Sequence, residues 1–172
     1  MKTRSRRGPE RAAATPVRLD LQLRSRAAHV PSRARFLRWV RAALAGRTAP
    51  GTPVELTLRV VGPTEMRALN REYRGKDYAT NVLSFPFEAP GDVALPVRVL
   101  GDIVLCAQTV QREARAQGKP VEAHWAHLAV HGVLHLLGMD HMTRREAAQM
   151  EGAEIAVLEA LGYPNPYLTE DA

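Results

Sequence analysis

The segment HGVLHLLGMDH sets histidines at 131, 135 and 141, with a glycine at 138 between the second and the third. His131 and His135 are four residues apart. On an α-helix of 3.6 residues per turn they therefore stand one above the other on the same face and can grip one ion. Gly138 suits the break that follows, because a helix that stops and swings a third imidazole back needs a residue tolerant of left-handed dihedrals. Three imidazoles leave one position of a tetrahedral zinc open. Structural zinc sites usually fill it with a fourth side chain, whereas catalytic sites keep it for water, whose pKa the metal brings to about 7. These residues predict a hydrolytic centre holding one zinc ion, with His131, His135 and His141 as its ligands.

Against the consensus HExxHxxGxxH of the metzincin proteases, all three histidines and the glycine match in register. The second position is Gly132, where those proteases carry the glutamate that acts as general base. The metal ligands are kept and the peptidase base is missing, unless a carboxylate from elsewhere, such as Glu146, replaces it. His124, His127, His131 and His135 all fall within about 80° of one helical face, so His127 and His131 form a rival pair. Only 131 and 135 are followed by the glycine break and a further histidine, which makes them the expected ligands. His127 is expected to contact a ligand or to pack, and His124 to cap or lie near the helix start. Asp140 has two roles open to it: orienting an imidazole, as metal-bound histidines require, or closing a turn.

The motif needs a helix to carry it, and 121–138 has the composition of one. Gly118 and Pro120 separate it from a helix near 107–117, and an acidic helix near 143–161 follows, ending at Gly162. Upstream, VRLDLQL at 17–23 and VELTLRVV at 54–61 alternate apolar and polar residues and predict half-buried strands. In the second, Val54, Leu56, Leu58 and Val60 share one face, which puts Arg59 on the other with Glu55 and Thr57. Ser32 opens a helix to about Ala45 with Phe36, Leu37, Val40 and Leu44 as its stripe. Thr64 is placed to cap another through Tyr73, which Gly75 stops. ATNVLSFPFE reads as a strand through Phe87 in which Pro86 marks an edge or an end. After a loop rich in Pro and Gly at 89–96, VLGDIVLCA forms a fourth strand. This order, with no internal repeat, predicts an α+β fold.

A chain of 172 residues with 45% hydrophobic content suits one domain with a proper core. No apolar run approaches the roughly 18 residues that cross a bilayer. Cys106, the sole cysteine, cannot form an internal disulfide and reads as a buried thiol in a reducing compartment. The net charge of +6 is unevenly spread: residues 1–47 hold 13 Lys or Arg against Glu10 and Asp20, while residues 48–172 hold 11 against 16 acidic residues. The basic portion makes a polyanion such as nucleic acid a reasonable partner, although arginines alternating with alanine also suit a solvated helix face. Residues 1–15 are basic and poor in hydrophobic residues and are expected to be a disordered extension, leaving 16–172 as the domain.

Four segments together resemble the YbeY endoribonuclease family: LNREYRGKDYATNVLSFPFE at 69–88, LGDIVLC at 100–106, GKPVEAHWAHLAVHGVLHLLGMDH at 118–141 and LGYPNPY at 161–167. The likeness runs from about residue 17 to near the C-terminus, and the motif at 131–141 is its most specific part. The resemblance implies a mixed four-stranded sheet packed with helices. It further implies a cytoplasmic, zinc-dependent endoribonuclease of single-stranded RNA, acting in maturation of the 3′ end of small-subunit (16S) rRNA and in ribosome quality control. Its partners would be RNA and the ribosome or its proteins, with neither a membrane nor DNA involved. By the same resemblance His131, His135 and His141 bind the metal and Arg59, on the second strand, is a functional residue. A planar guanidinium suits charge on phosphoryl oxygens. The residues alone leave Arg59 an ion-pair role as well, with Glu55 on the same face as its partner. Two further classes stay in competition: a metzincin-like zinc peptidase, and a non-catalytic ribosome assembly factor with structural zinc.

Overall fold

The computed structural model describes residues 14–91 and 94–168. The element order is β1 (Val17–Leu23), α1 (Arg33–Leu44), β2 (Val54–Val61), α2 (Pro63–Arg74), β3 (Val82–Pro86), β4 (Arg98–Cys106), α3 (Ala107–Ala116), α4 (Val121–Leu136) and α5 (Arg144–Ala160). The strands form one mixed sheet in the order β1-β2-β4-β3, with β1, β2 and β4 parallel and β3 antiparallel on the edge. This is the expected α+β single domain. The basic extension expected at 1–15 lies outside the described residues as far as position 13, and Thr15 already bonds Thr48 between hydroxyls at 3.1 Å.

The alternation in β2 decides what lies on each side of the sheet. Val54, Leu56, Leu58 and Val60 are buried in the large core with α1, α4 and α5, so Arg59 points away from those helices. The other face carries a smaller cluster, in which Met66 of α2 packs on Val61, Leu83, Val104 and Cys106. In β4 the register shifts beside Glu55 and Leu56, and the inserted residue lets Leu100, Ile103 and Leu105 all enter the large core. Gly101 makes that bulge possible: its φ is +130°, and a Cβ there would fall 2.1 Å from the carbonyl oxygen of Phe85.

Two local expectations are corrected. Thr64 does not cap α2; Gly62 does, with Pro63 at the first helical position, where its missing N–H costs nothing and its fixed φ suits the helix. In α1, capped by Ser32 as expected, Trp39 and Ala43 join the buried stripe while Leu37 is only half-buried. Among the described residues no helix is long and apolar enough to cross a membrane.

α4 is the element that carries the site. It is apolar nearly all round because it packs against α1, α3, α5 and the β3–β4 edge of the sheet. Gly132 lies where it meets β4. A Cβ at 132 would come within 2.8 Å of Ile103 Cγ2, so any side chain here would force Ile103 or the helix to shift.

Candidate metal centre

The end of α4 explains how three histidines converge. The N–H of Gly138 bonds the carbonyl of His135 at 2.9 Å and that of Met139 bonds Leu134 at 3.1 Å, the double closure of a helix ended by a left-handed residue. Gly138 has φ +92°. That reversal returns the chain past the last turn of the helix and brings His141 to the other two histidines. Ring centroids lie 4.5 Å apart for His131 and His135, 5.0 Å for His135 and His141, and 5.8 Å for His131 and His141. One ring nitrogen from each falls within 4.8 Å of the others. The spacing brings these three imidazoles together, and such a nitrogen-only set could hold a borderline-soft divalent ion.

Glu154 of α5 holds the first of these rings. It is fully buried, on a stripe with Met150, Val157 and Leu158, and its carboxylate accepts from His131 Nδ1, from His127 Nε2 at 3.0 Å and from the Tyr167 hydroxyl. Burial pushes the Glu154 carboxyl up, but the hydrogen bonds from His127 and His131, the charge of His131 and the Tyr167 hydroxyl outweigh it and hold it at about 2. Tyr167 is raised in return by burial and by its bond to Glu154. His135 is lowered to about 4, first by burial and then by the neighbouring His131 and His141. It is therefore a neutral ring with a free lone pair at neutral pH, as a metal ligand must be.

The other expected residues take definite places. His127 contacts the carboxylate that also holds His131. His124 does not cap the helix; it is buried in the first turn with Nε2 2.8 Å from Glu113. Asp140 Oδ1 accepts from the backbone N–H of His141 at 2.7 Å and lies 3.9 Å from His141 Nδ1, so its firm contact is the turn. Glu146, the substitute base of the peptidase reading, accepts from the Thr143 N–H and closes the capping box of α5.

Arg59 is not brought to the histidines. On the far face of the sheet its Nε donates to Glu65 at 2.9 Å and its Nη1 to Gln22 at 3.1 Å, so its carboxylate partner is Glu65 rather than Glu55. It lines a hollow of about 600 Å³ with Tyr73, Phe85 and Asp102. A second hollow, of about 240 Å³, contains His135 and is walled by Arg74, Ser84, Pro86 and Asp140. Edge strand β3 divides the two, with Phe85 facing one and its neighbours Ser84 and Pro86 the other. Arg74, an exposed arginine at the end of α2, is thus the cation among the described residues that line the hollow containing His135. Residue types and spacing did not single out Arg74, Glu154 or Tyr167. Glu154 alone left a signal, as a carboxylate on an otherwise apolar helical stripe.

The family model described as Endoribonuclease YbeY matches residues 22–162. A protein named Endoribonuclease YbeY from Nitrosococcus oceani is 56% identical over 140 residues, covering 81% of this chain and 90% of the relative. Another of that name from Alkalilimnicola ehrlichii is 56% identical over 144 residues, covering 84% and 86%. A solution structure from Thermotoga maritima covers 90% of this chain and 99% of its own at a TM-score of 0.52 and 22% identity, which shows a shared fold alone.

Proposed function

The chain belongs to the endoribonuclease YbeY family, and from that membership we propose that it is a metal-dependent endoribonuclease of single-stranded RNA. We place its action in maturation of the 3′ end of small-subunit rRNA and in ribosome quality control. The observation that carries the chemical part is the shared hollow: His135, one of three converging imidazoles, and the guanidinium-bearing Arg74 line the same cavity.

His131, His135 and His141 would hold the ion, and the residues fit it, since each imidazole offers a nitrogen to a common point and His131 is oriented from behind by a carboxylate. A divalent ion there supplies Lewis acidity toward a phosphoryl oxygen and an acidified water. Arg74 contributes a fixed positive charge in a planar fork, suited to the non-bridging oxygens whose charge grows during phosphodiester cleavage. Arg59, tied to Glu65 and Gln22 beyond the edge strand, shapes the other hollow, and its effect on cleavage is expected to be the smaller. Gly132 argues against a peptidase, because the position that carries the protease base abuts Ile103 and leaves no room for a carboxylate.

The test measures bound zinc and cleavage of a small-subunit rRNA fragment in the wild type, His135→Ala, Arg74→Ala and Arg59→Ala, with and without chelator. Loss of zinc and cleavage in His135→Ala, and loss of cleavage with zinc retained in Arg74→Ala, support the roles given. Full cleavage in His135→Ala or after chelation would sink the mechanism. A larger loss in Arg59→Ala than in Arg74→Ala would return the phosphate-binding role to Arg59. If His131→Ala lost zinc yet still supported ribosome maturation, the assembly-factor reading would replace the enzymatic one.

A further inference from the structure

Among the described residues Glu154 is the one carboxylate buried in the core. A charge in such a place costs several kcal/mol unless donors surround it. Three do: His131 Nδ1 and His127 Nε2 from α4, and the Tyr167 hydroxyl from the segment that follows α5. An ionised carboxylate accepts and cannot donate, so each partner must supply the hydrogen. When His131 carries a single proton, that proton is thereby placed on Nδ1 and the Nε2 lone pair is left free, as a metal ligand requires.

We infer that Glu154, bridged to Tyr167 and His127, is a positioning residue of the metal centre. It fixes the tautomer and ring orientation of His131, and it makes the C-terminal segment around Tyr167 part of that centre. The inference rests on the reading that His131, His135 and His141 hold a metal ion. It goes further in assigning the support to a residue 13 positions beyond the last ligand and to a tyrosine 26 beyond it. Asp140, adjacent to His141 in sequence, does not share this task, since its closest contact is a backbone N–H.

The bridge also accounts for the difference between the two tyrosines of this segment. Tyr163 donates to Glu122 at 2.7 Å and accepts from Trp39 Nε1 at 3.2 Å, which anchors the segment to α1 and α4 away from the histidines. Tyr167 instead reaches the carboxylate that holds a ligand, and its hydroxyl lies 3.4 Å from His127 Nε2. Tyr163 is therefore the internal control for Tyr167: same residue type, same segment, different contact.

The experiment uses the full chain and reads metal binding directly. Zn²⁺ affinity is measured by competition with a chromophoric chelator, and the visible bands of the Co²⁺-loaded protein report ligand geometry. The variants are Glu154→Gln, Tyr167→Phe and Tyr163→Phe. Glu154→Gln keeps the shape and removes the charge, and should weaken zinc binding by about 10- to 100-fold and shift the Co²⁺ bands. Tyr167→Phe should weaken zinc binding by a smaller factor with a shift in the same direction, and Tyr163→Phe should leave both unchanged. Should Glu154→Gln not fold, Tyr167→Phe decides alone. Zinc affinities within about twofold of wild type and unmoved Co²⁺ bands in folded variants would reduce Glu154 to packing and overturn the inference. A wild type that takes up no zinc would overturn the metal reading itself, a result distinguishable from the former.

Discussion

Replacing Gly132 tests why this helix lacks the residue that a peptidase places there. An alanine Cβ would fall 2.8 Å from Ile103 Cγ2, with Cδ1 and Cγ1 of the same side chain at 3.1 and 3.2 Å. Ile103 is fully buried in β4, and its nearest atom, Cγ2, sits directly on the branched Cβ and can move only if the stiff χ1 changes. Overpacking of this kind costs about 1–3 kcal/mol, and the alanine gains about 1 kcal/mol in helix propensity. Gly132→Ala should therefore destabilise by about 0–2 kcal/mol in the wild-type background. Ile103→Ala alone should cost about 2–5 kcal/mol as a large-to-small core change. In that background the three atoms nearest the new Cβ are gone, so Gly132→Ala should become stabilising by up to about 1 kcal/mol. The two changes should thus couple by about 1–3 kcal/mol, read from urea midpoints of the four metal-free proteins. Strict additivity, within about 0.5 kcal/mol, would refute the contact as the reason for glycine. Gly132→Glu, which sets a carboxylate against the same isoleucine, should yield little folded protein and no peptidase activity.

Three further outcomes follow from the site. Gly138→Ala meets no atom within 4 Å, so its cost is conformational, about 1–2 kcal/mol for a left-handed residue with a side chain, and zinc affinity should fall with the loosened position of His141. The metal-free protein should lose stability in two steps on acidification. His135, lowered from 6.5 to about 4 by burial and neighbouring imidazoles, contributes stability above pH 6.5 that is lost toward pH 4, because only the unfolded chain takes up the proton readily. Glu154, lowered from 4.5 to about 2, contributes stability above pH 4.5 that is lost toward pH 2. Urea midpoints against pH should lose the upper step in His135→Ala and the lower in Glu154→Gln; a lower step that persists in Glu154→Gln assigns it elsewhere. RNA affinity should decline steeply with salt if the arginine-rich first third of the chain meets phosphates, and a flat response argues against a basic binding surface.

What could be read in advance follows from how local each feature is. His131 and His135 meet because two residues one turn apart share a face, and His141 joins them through a glycine-terminated helix end a few residues away. Both are short-range geometry. The strands were likewise legible from their alternation, and so was Arg59 as a residue on the face opposite Leu58. Alternation tells which face of β2 the helices cover but not which strand will lie at the edge beside the end of α4. That depends on β4 inserting between β2 and β3, a pairing of distant segments, and it is what puts Arg74 with the histidines and Arg59 across the edge strand from them. The support from Glu154 is long-range in the same way, and its trace in the sequence was a single carboxylate on the apolar stripe of α5.

Gly132 shows how one residue can satisfy a chemical and a packing requirement together. Taken with the motif alone, it is a missing general base. Taken with Ile103, it is the reason α4 can lie close enough to β4 for its last turn to reach the edge strand, where Ser84 Oγ lies 3.4 Å from the Gly132 carbonyl oxygen. Restoring the glutamate would push the helix off the sheet and carry His131 and His135 away from the hollow that Arg74 and Ser84 wall. A carboxylate at position 132 is therefore incompatible with this packing of helix on sheet, and the acidic side chain that walls the hollow is Asp140, from the turn that follows the helix.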